Sequence, residues 1–158
     1  MDKTDPRLHI VVVTGIIEKA GKYLILRRSL REVAYPGLWT VPGGKLVRHE
    51  YENLPRTLDT DAWYNVVNRT LEKEVMEEAG LEVEGITYLT DMTFIRPDNI
   101  PVLVLSYFCR YKSGEVKLGK DIIDSAWITP EEGKGYEIIP GILDEIAEVD
   151  GILRGGRS

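Results

Sequence analysis

The chain has a single cysteine, Cys109, among 158 residues, with only two histidines and two phenylalanines. One cysteine leaves no internal disulfide, and its setting in SYFCRY predicts a half-buried strand residue rather than a metal ligand. There is no excess of basic charge: 20 Lys and Arg against 26 Asp and Glu give a net charge of -6. That balance argues against nucleic acid or an acidic membrane surface as partner, since both want basic protein surface. No apolar run approaches the ~18 residues needed to span a bilayer. The opening MDKTDPRLHI lacks the apolar core of a secretion signal, so the chain reads as cytoplasmic. Repeats and low-complexity tracts are missing too.

What remains is ordinary soluble globular composition, 43% hydrophobic and 29% charged. The length fits one domain over residues 1–158. Residues 8–18 and 22–28 alternate as two β runs joined by KAGK, a short hairpin connection. The stretch from 30 to 45 is loop-rich, punctuated by Pro36, Gly37, Pro42 and the pair Gly43–Gly44. A helix is expected to start near Asp59, Thr60 or Asp61 and to stop at Gly80, with an apolar stripe of Trp63, Val67, Leu71, Val75 and Ala79. LEVEGITYLTDMTFI and PVLVLSYFCRYKS read as strands around the turn RPDNIP. A short strand DSAWIT, a turn or helical stub PEEGKG, a final amphipathic helix led by Pro140 and a frayed tail RGGRS complete the chain. The order predicts an α/β (α+β) fold, a mixed sheet flanked by helices.

Glu74, Glu77 and Glu78 stand at i, i+3 and i+4 of the long helix, within about 100° of arc. Most charge runs are solvated faces. Here the arc borders the apolar stripe, and Glu77 and Glu78 fall in the last turn, where the helix dipole disfavours each by roughly 0.3–1 kcal/mol. Like charges at Glu74 and Glu78 add a few tenths more. The cluster is read as one that no basic side chain relieves. A hard divalent cation explains it best, Mg²⁺, Mn²⁺ or Ca²⁺ rather than zinc, because the donors are all oxygen.

Together GGKLVRHE and KEVMEEAGL resemble the signature of the Nudix hydrolase family: a glycine, a glutamate six residues on, then a run of Arg-Glu-apolar-x-Glu-Glu-x-Gly-apolar. Gly44 and Glu50 match the first half, and Glu74, Val75, Glu77, Glu78, Gly80 and Leu81 the second. The lead-in PGLWTVPGGK is also similar to the family's. Two departures stand out. Lys73 replaces the usual arginine, keeping charge without the two-pronged fork. And 22 residues separate Glu50 from Lys73 where about seven are usual, so an insertion covers residues 51–65. Closing a longer loop costs little, about 0.6 kcal/mol per doubling. The site is therefore expected to survive, with the helix extended backward through DAWYNVVNRT.

The resemblance implies a Nudix-like α/β/α sandwich. It also implies metal-dependent hydrolysis of a diphosphate linkage in a nucleoside diphosphate derivative, with Mg²⁺ or Mn²⁺ as cofactor and a small molecule as partner. Glu74, Glu77 and Glu78 would hold the metal, with Glu78 central and Gly43 offering a backbone carbonyl. One of these carboxylates, or one from elsewhere, would take the water's proton. Asp121 is the matching candidate ahead of the Trp127 strand, with Asp124 second. Gly44 would let the loop close without a side chain. Arg28 and Lys45 are candidate phosphate contacts, as fork and point charge. Arg27 reads equally as a surface-strand residue, His49 sits beside the motif but outside it, and Trp39, Tyr35 and Phe94 suit core packing more than base stacking. The substrate range stays open, with a lean toward nucleoside triphosphates. A binding module that senses a nucleotide without turning it over is the competing reading, and a homodimer is left open.

Overall fold

The computed structural model describes residues 5–155. Its centre is β1 (Ile10–Lys19), a run of β-branched residues that turns back into β2 (Lys22–Arg28) through Ala20 and Gly21. Both turn residues have positive φ, 51° and 81°, the two-residue connection whose twist matches antiparallel strands. After that hairpin β2 leaves β1. The vacated edge of β1 is taken by β4 (Gly43–Lys45), with Val13 opposite Gly44 and Thr14 opposite Gly43. The glycine pair is therefore a strand in the sheet rather than the loop its punctuation suggested.

On its other side β1 runs parallel to β6 (Pro101–Ser113), which pairs antiparallel with β5 (Glu82–Ile95). β2 collects β3 (Trp39–Thr40) and β7 (Ile122–Ile128). The result is a mixed seven-stranded sheet, as the sequence predicts.

Alternation along β1 and β2 feeds two cores. Val13, Ile17, Leu24 and Leu26 face Leu71, Val75 and Ala79 of α1 (Val66–Ala79). Ile16, Tyr23 and Ile25 face Ile146 and Val149 of α3 (Ile142–Gly155). Each fully buried aliphatic side chain contributes about 1.5–3 kcal/mol. Cys109 belongs to the first core and is 1% exposed, deeper than the half-burial expected of it. Between β7 and α3 the stub is a short helix, α2 (Pro130–Gly133), closed by a reciprocal Thr129–Glu132 cap. Arg154 and Gly155 continue α3, and the rest of the tail expected to fray lies outside the described residues.

One boundary departs from expectation. α1 begins at Val66, not near residue 60, because Asn65 sits in the left-handed region at φ 63°. Trp63 is thus off the helix. Residues 51–64 form a separate excursion after the short helical turn Arg48–Glu50. Trp63 anchors it, donating from its indole nitrogen to Leu54 O at 2.9 Å and meeting Tyr51 edge-on with ring centroids 5.2 Å apart. Thr57 fastens the neck, donating its amide to Ala62 O and accepting from the Tyr64 amide. Such a closed loop with its own packing is an Ω-type element. The other end of α1 is where the sequence puts it: Gly80 adopts φ 70° and its N–H returns to Met76 O.

Candidate active site

β4 and α1 bring the two halves of the motif into contact. The Gly43 N–H donates to Glu78 Oε1 at 2.8 Å. A Cβ on Gly44 would stand 2.5 Å from Glu74 Oε1 and nearer still to its carboxyl carbon. Gly44 is therefore a glycine because Glu74 occupies the space a side chain would fill, not because the backbone needs an unusual φ. Gly43 is excluded from bearing a side chain by β1, whose Val13 O would lie 2.6 Å from the added carbon.

The carboxylates differ in environment. Glu78 is the most desolvated, and burial pushes its pKa up to about 7. The Gly43 N–H opposes that rise, the Glu74 charge adds to it, Arg28 opposes it and Asp121 adds to it. Glu74, with 15% of its side chain exposed, is also raised by burial, and Lys73 offsets part of the rise. Glu77 is more open, at 56%.

Lys73 overturns the expectation of an unrelieved cluster. Its Nζ lies 3.1 Å from Glu50 Oε1, 3.1 Å from Glu74 Oε1 and 3.3 Å from Glu77 Oε1. Burial works against the ammonium, but its bonds to Glu50 and Glu74 prevail and raise its pKa. The pairing with Glu77 is an i,i+4 contact visible in the sequence; the one with Glu50 is made only by the fold. Glu50 is thereby tied to the helix despite the 22 intervening residues. The helix end is also better satisfied than the dipole argument assumed. The amides of Lys117 and Gly119 donate to the carbonyls of Ala79 and Glu78 at 2.8 and 3.1 Å. Sequence reasoning missed this cap, and no local signal in KLGKD announces it.

Asp121 follows directly on that capping segment; its charge is felt by Glu78, and its carbonyl accepts from the Ser29 N–H at 3.1 Å. Asp124 turns inward on its own backbone, its carboxylate accepting from the Ser125 N–H. Arg28 is engaged with the loop after β2: its Nε donates to Ala34 O at 3.0 Å and Nη2 to Glu32 at 3.1 Å. Its influence on the site is through charge. Arg27 braces the same loop through Gly37 O. Lys45 is exposed at the end of β4, and His49 is exposed in the Arg48–Glu50 turn. Trp39 packs edge-on against Tyr136 at 5.0 Å, while Tyr35 and Phe94 are exposed on other elements.

Among the described residues no group of three or more His, Cys, Asp or Glu side chains converges closely enough to grip a metal as it stands. The donor chemistry nevertheless fits a hard divalent cation. Glu78 is desolvated and feels both Glu74 and Asp121 as like charges, and a cation shared with Glu74 would relieve that strain.

The two motif halves, the helix and the mixed sheet are arranged as in the Nudix fold, and the chain is similar to proteins of that family. No family model matches it; the two halves of the motif, adjacent in space, are unusually far apart along the chain. Nucleoside triphosphatase NudI of Escherichia coli K12 is 24% identical over 138 residues, covering 80% of this chain and 86% of the relative. The crystal structure of a MutT Nudix hydrolase from Burkholderia pseudomallei matches the fold with a TM-score of 0.71 at 19% identity, over 90% of this chain and 99% of that one. The Nudix domain of Shewanella oneidensis NrtR, crystallised with ADP ribose, reaches 0.72 at 14% identity, covering 97% and 94%. In the described residues no helix is long and apolar enough to cross a membrane.

Proposed function

We propose that the protein hydrolyses a phosphoric anhydride bond in a small nucleoside diphosphate derivative, using Mg²⁺ or Mn²⁺. The observation that carries this reading is the docking of two desolvated carboxylates, Glu74 and Glu78, on the glycine pair. Glu74, Glu77 and Glu78, with the Gly43 backbone, are the residues that would hold the cation. The bound cation would neutralise phosphate charge and make water a better nucleophile. Lys73 positions Glu50, Glu74 and Glu77. Glu78 has to shed its proton to act as a ligand, so cation binding releases a proton near neutral pH. One carboxylate of the set Glu74, Glu77, Glu78 and Asp121 accepts the water's proton. Lys45 meets substrate phosphate as a point charge, and Arg28 supports the site by holding its loop and lowering the pKa of Glu78. The resemblance to a nucleoside triphosphatase favours triphosphates within this class.

The test is a panel of nucleoside triphosphates, nucleotide sugars, ADP-ribose and dinucleoside polyphosphates, incubated with Mg²⁺ or Mn²⁺ and followed by product analysis. Hydrolysis that disappears in Glu78→Gln supports the reading; turnover unaffected by that change refutes the site. A second reading, binding without turnover, draws support from Lys73, which already pairs with Glu50, Glu74 and Glu77 and offsets part of their charge. Tight binding of one panel member with no hydrolysis of any would establish it.

A further inference from the structure

The excursion over residues 51–64 does more than lengthen the chain. Against the Arg48–Glu50 turn it encloses an open cleft of about 520 Å³ lined by Arg48, Tyr51, Glu52, Asn53, Arg56 and Trp63. A second, smaller hollow shares Tyr51 with it and reaches Glu50 and Lys73, the ion pair at the edge of the carboxylate site. Tyr51 thus stands between the cleft and the ion pair that borders the carboxylate site. In an acidic protein it presents two guanidinium groups, and it is a built feature. Arg56 lies over the Trp63 ring, 4.4 Å from its centroid, and Trp63 is itself fixed by Leu54 O and Tyr51.

The present partners of these arginines are weak. Arg48 bonds Glu52 at 2.6 Å with 84% of its own side chain in solvent, and Arg56 stands 4.0 Å from a fully exposed Asp61. Exposed pairs of this kind hold little energy. A phosphate group, with more charge and three acceptor oxygens, competes well for both forks. The Asn53 amide adds a neutral donor on the same wall.

We propose that this cleft is an anion subsite for a substrate phosphate remote from the bond that is broken. The preferred substrate class is then a nucleotide whose phosphate chain exceeds two. The proposal deepens the function proposed above and rests on it for the word substrate. It differs in its residues, all of which lie outside the metal-holding set.

The experiment compares the wild type with Arg48→Ala/Arg56→Ala and with Arg48→Lys/Arg56→Lys. Kinetics are measured on a nucleoside triphosphate and on a two-phosphate nucleotide sugar; binding of inorganic tripolyphosphate is followed by tryptophan fluorescence, with Trp63→Phe as control. The alanine pair is expected to raise KM for the triphosphate about tenfold, to leave kcat and the nucleotide sugar unchanged, and to abolish the Trp63-dependent response. The lysine pair should recover part of the loss. Tripolyphosphate should inhibit competitively. Equal loss on both substrates, or no loss on either, overturns the subsite, and non-competitive inhibition assigns the cleft to a free phosphate effector instead. If no substrate is turned over at all, the fluorescence titration decides alone: an arginine-dependent response keeps the anion subsite while the hydrolase reading fails, and its absence ends both.

Discussion

Glu74 fills the space above Gly44: a single added methyl group would overlap its carboxyl group. Gly44→Ala is therefore expected to swing Glu74 out of place while leaving the fold largely intact. Displacement by about 1 Å at a reacting centre can cost roughly a hundredfold in rate, and that is the loss expected in hydrolysis assays. Gly43→Ala should behave differently. Its new carbon meets a backbone oxygen of β1, so the cost falls on stability, about 1–3 kcal/mol by chemical denaturation. If the two variants lose activity and stability in the same proportion, the distinction is wrong.

Lys73 holds three carboxylates at once. Lys73→Met leaves them facing one another, so the metal-free protein should lose about 1–2 kcal/mol at pH 8 and less at pH 4, because burial favours protonation of Glu74 and so weakens its pairing with the lysine in acid. Lys73→Arg should restore most of it. Urea denaturation at the two pH values checks this, and a loss independent of pH would show that the lysine serves only through packing.

These two cases mark how far the sequence could be read. Strands were legible because alternation and turn residues agree: PVLVLSYFCRYKS is β6 from first residue to last. The helix end was legible from Gly80, the one residue there suited to the left-handed cap. Its start was not. Trp63 continues the four-residue spacing of Val67 and Leu71, yet Asn65 breaks the helix between them, and Trp63 instead packs on Tyr51. The glutamates were legible as a cluster. Their surroundings were not, since the Glu50–Lys73 pair and the crowding at Gly44 are contacts between distant segments.

Glu78 makes stability depend on pH. Its folded pKa, about 7, lies above the ordinary carboxylate value. Between roughly pH 4.5 and 7 the folded state therefore binds more protons than the unfolded chain, and stability falls as pH rises through that window. With chelator present, thermal midpoints should decline over this range, and Glu78→Gln should flatten the decline. Adding Mg²⁺ or Mn²⁺ should stabilise the wild type more at pH 8 than at pH 5.5. A cation effect that is the same at both values would argue against Glu78 as a ligand.

Cys109 is sealed in the core facing α1, and burial pushes its thiol pKa up to about 12. An aromatic disulfide reagent at pH 8 should leave the native protein unmodified for as long as it stays folded. One equivalent should react promptly in denaturant. Fast labelling of the native state would mean that β6 opens locally.

The Ω-type excursion departs at Glu50 and its helix returns at Lys73, and these two residues are joined by an ion pair at 3.1 Å. In topological terms the inserted segment is a handle whose two roots are pinned side by side. Strand order, the docked face of α1 and the glycine–glutamate contact all lie outside residues 51–64. The handle can therefore change length, sequence or cargo without rewiring the scaffold beneath it. It is a place where a new specificity could be grafted onto an old reaction centre, one loop at a time.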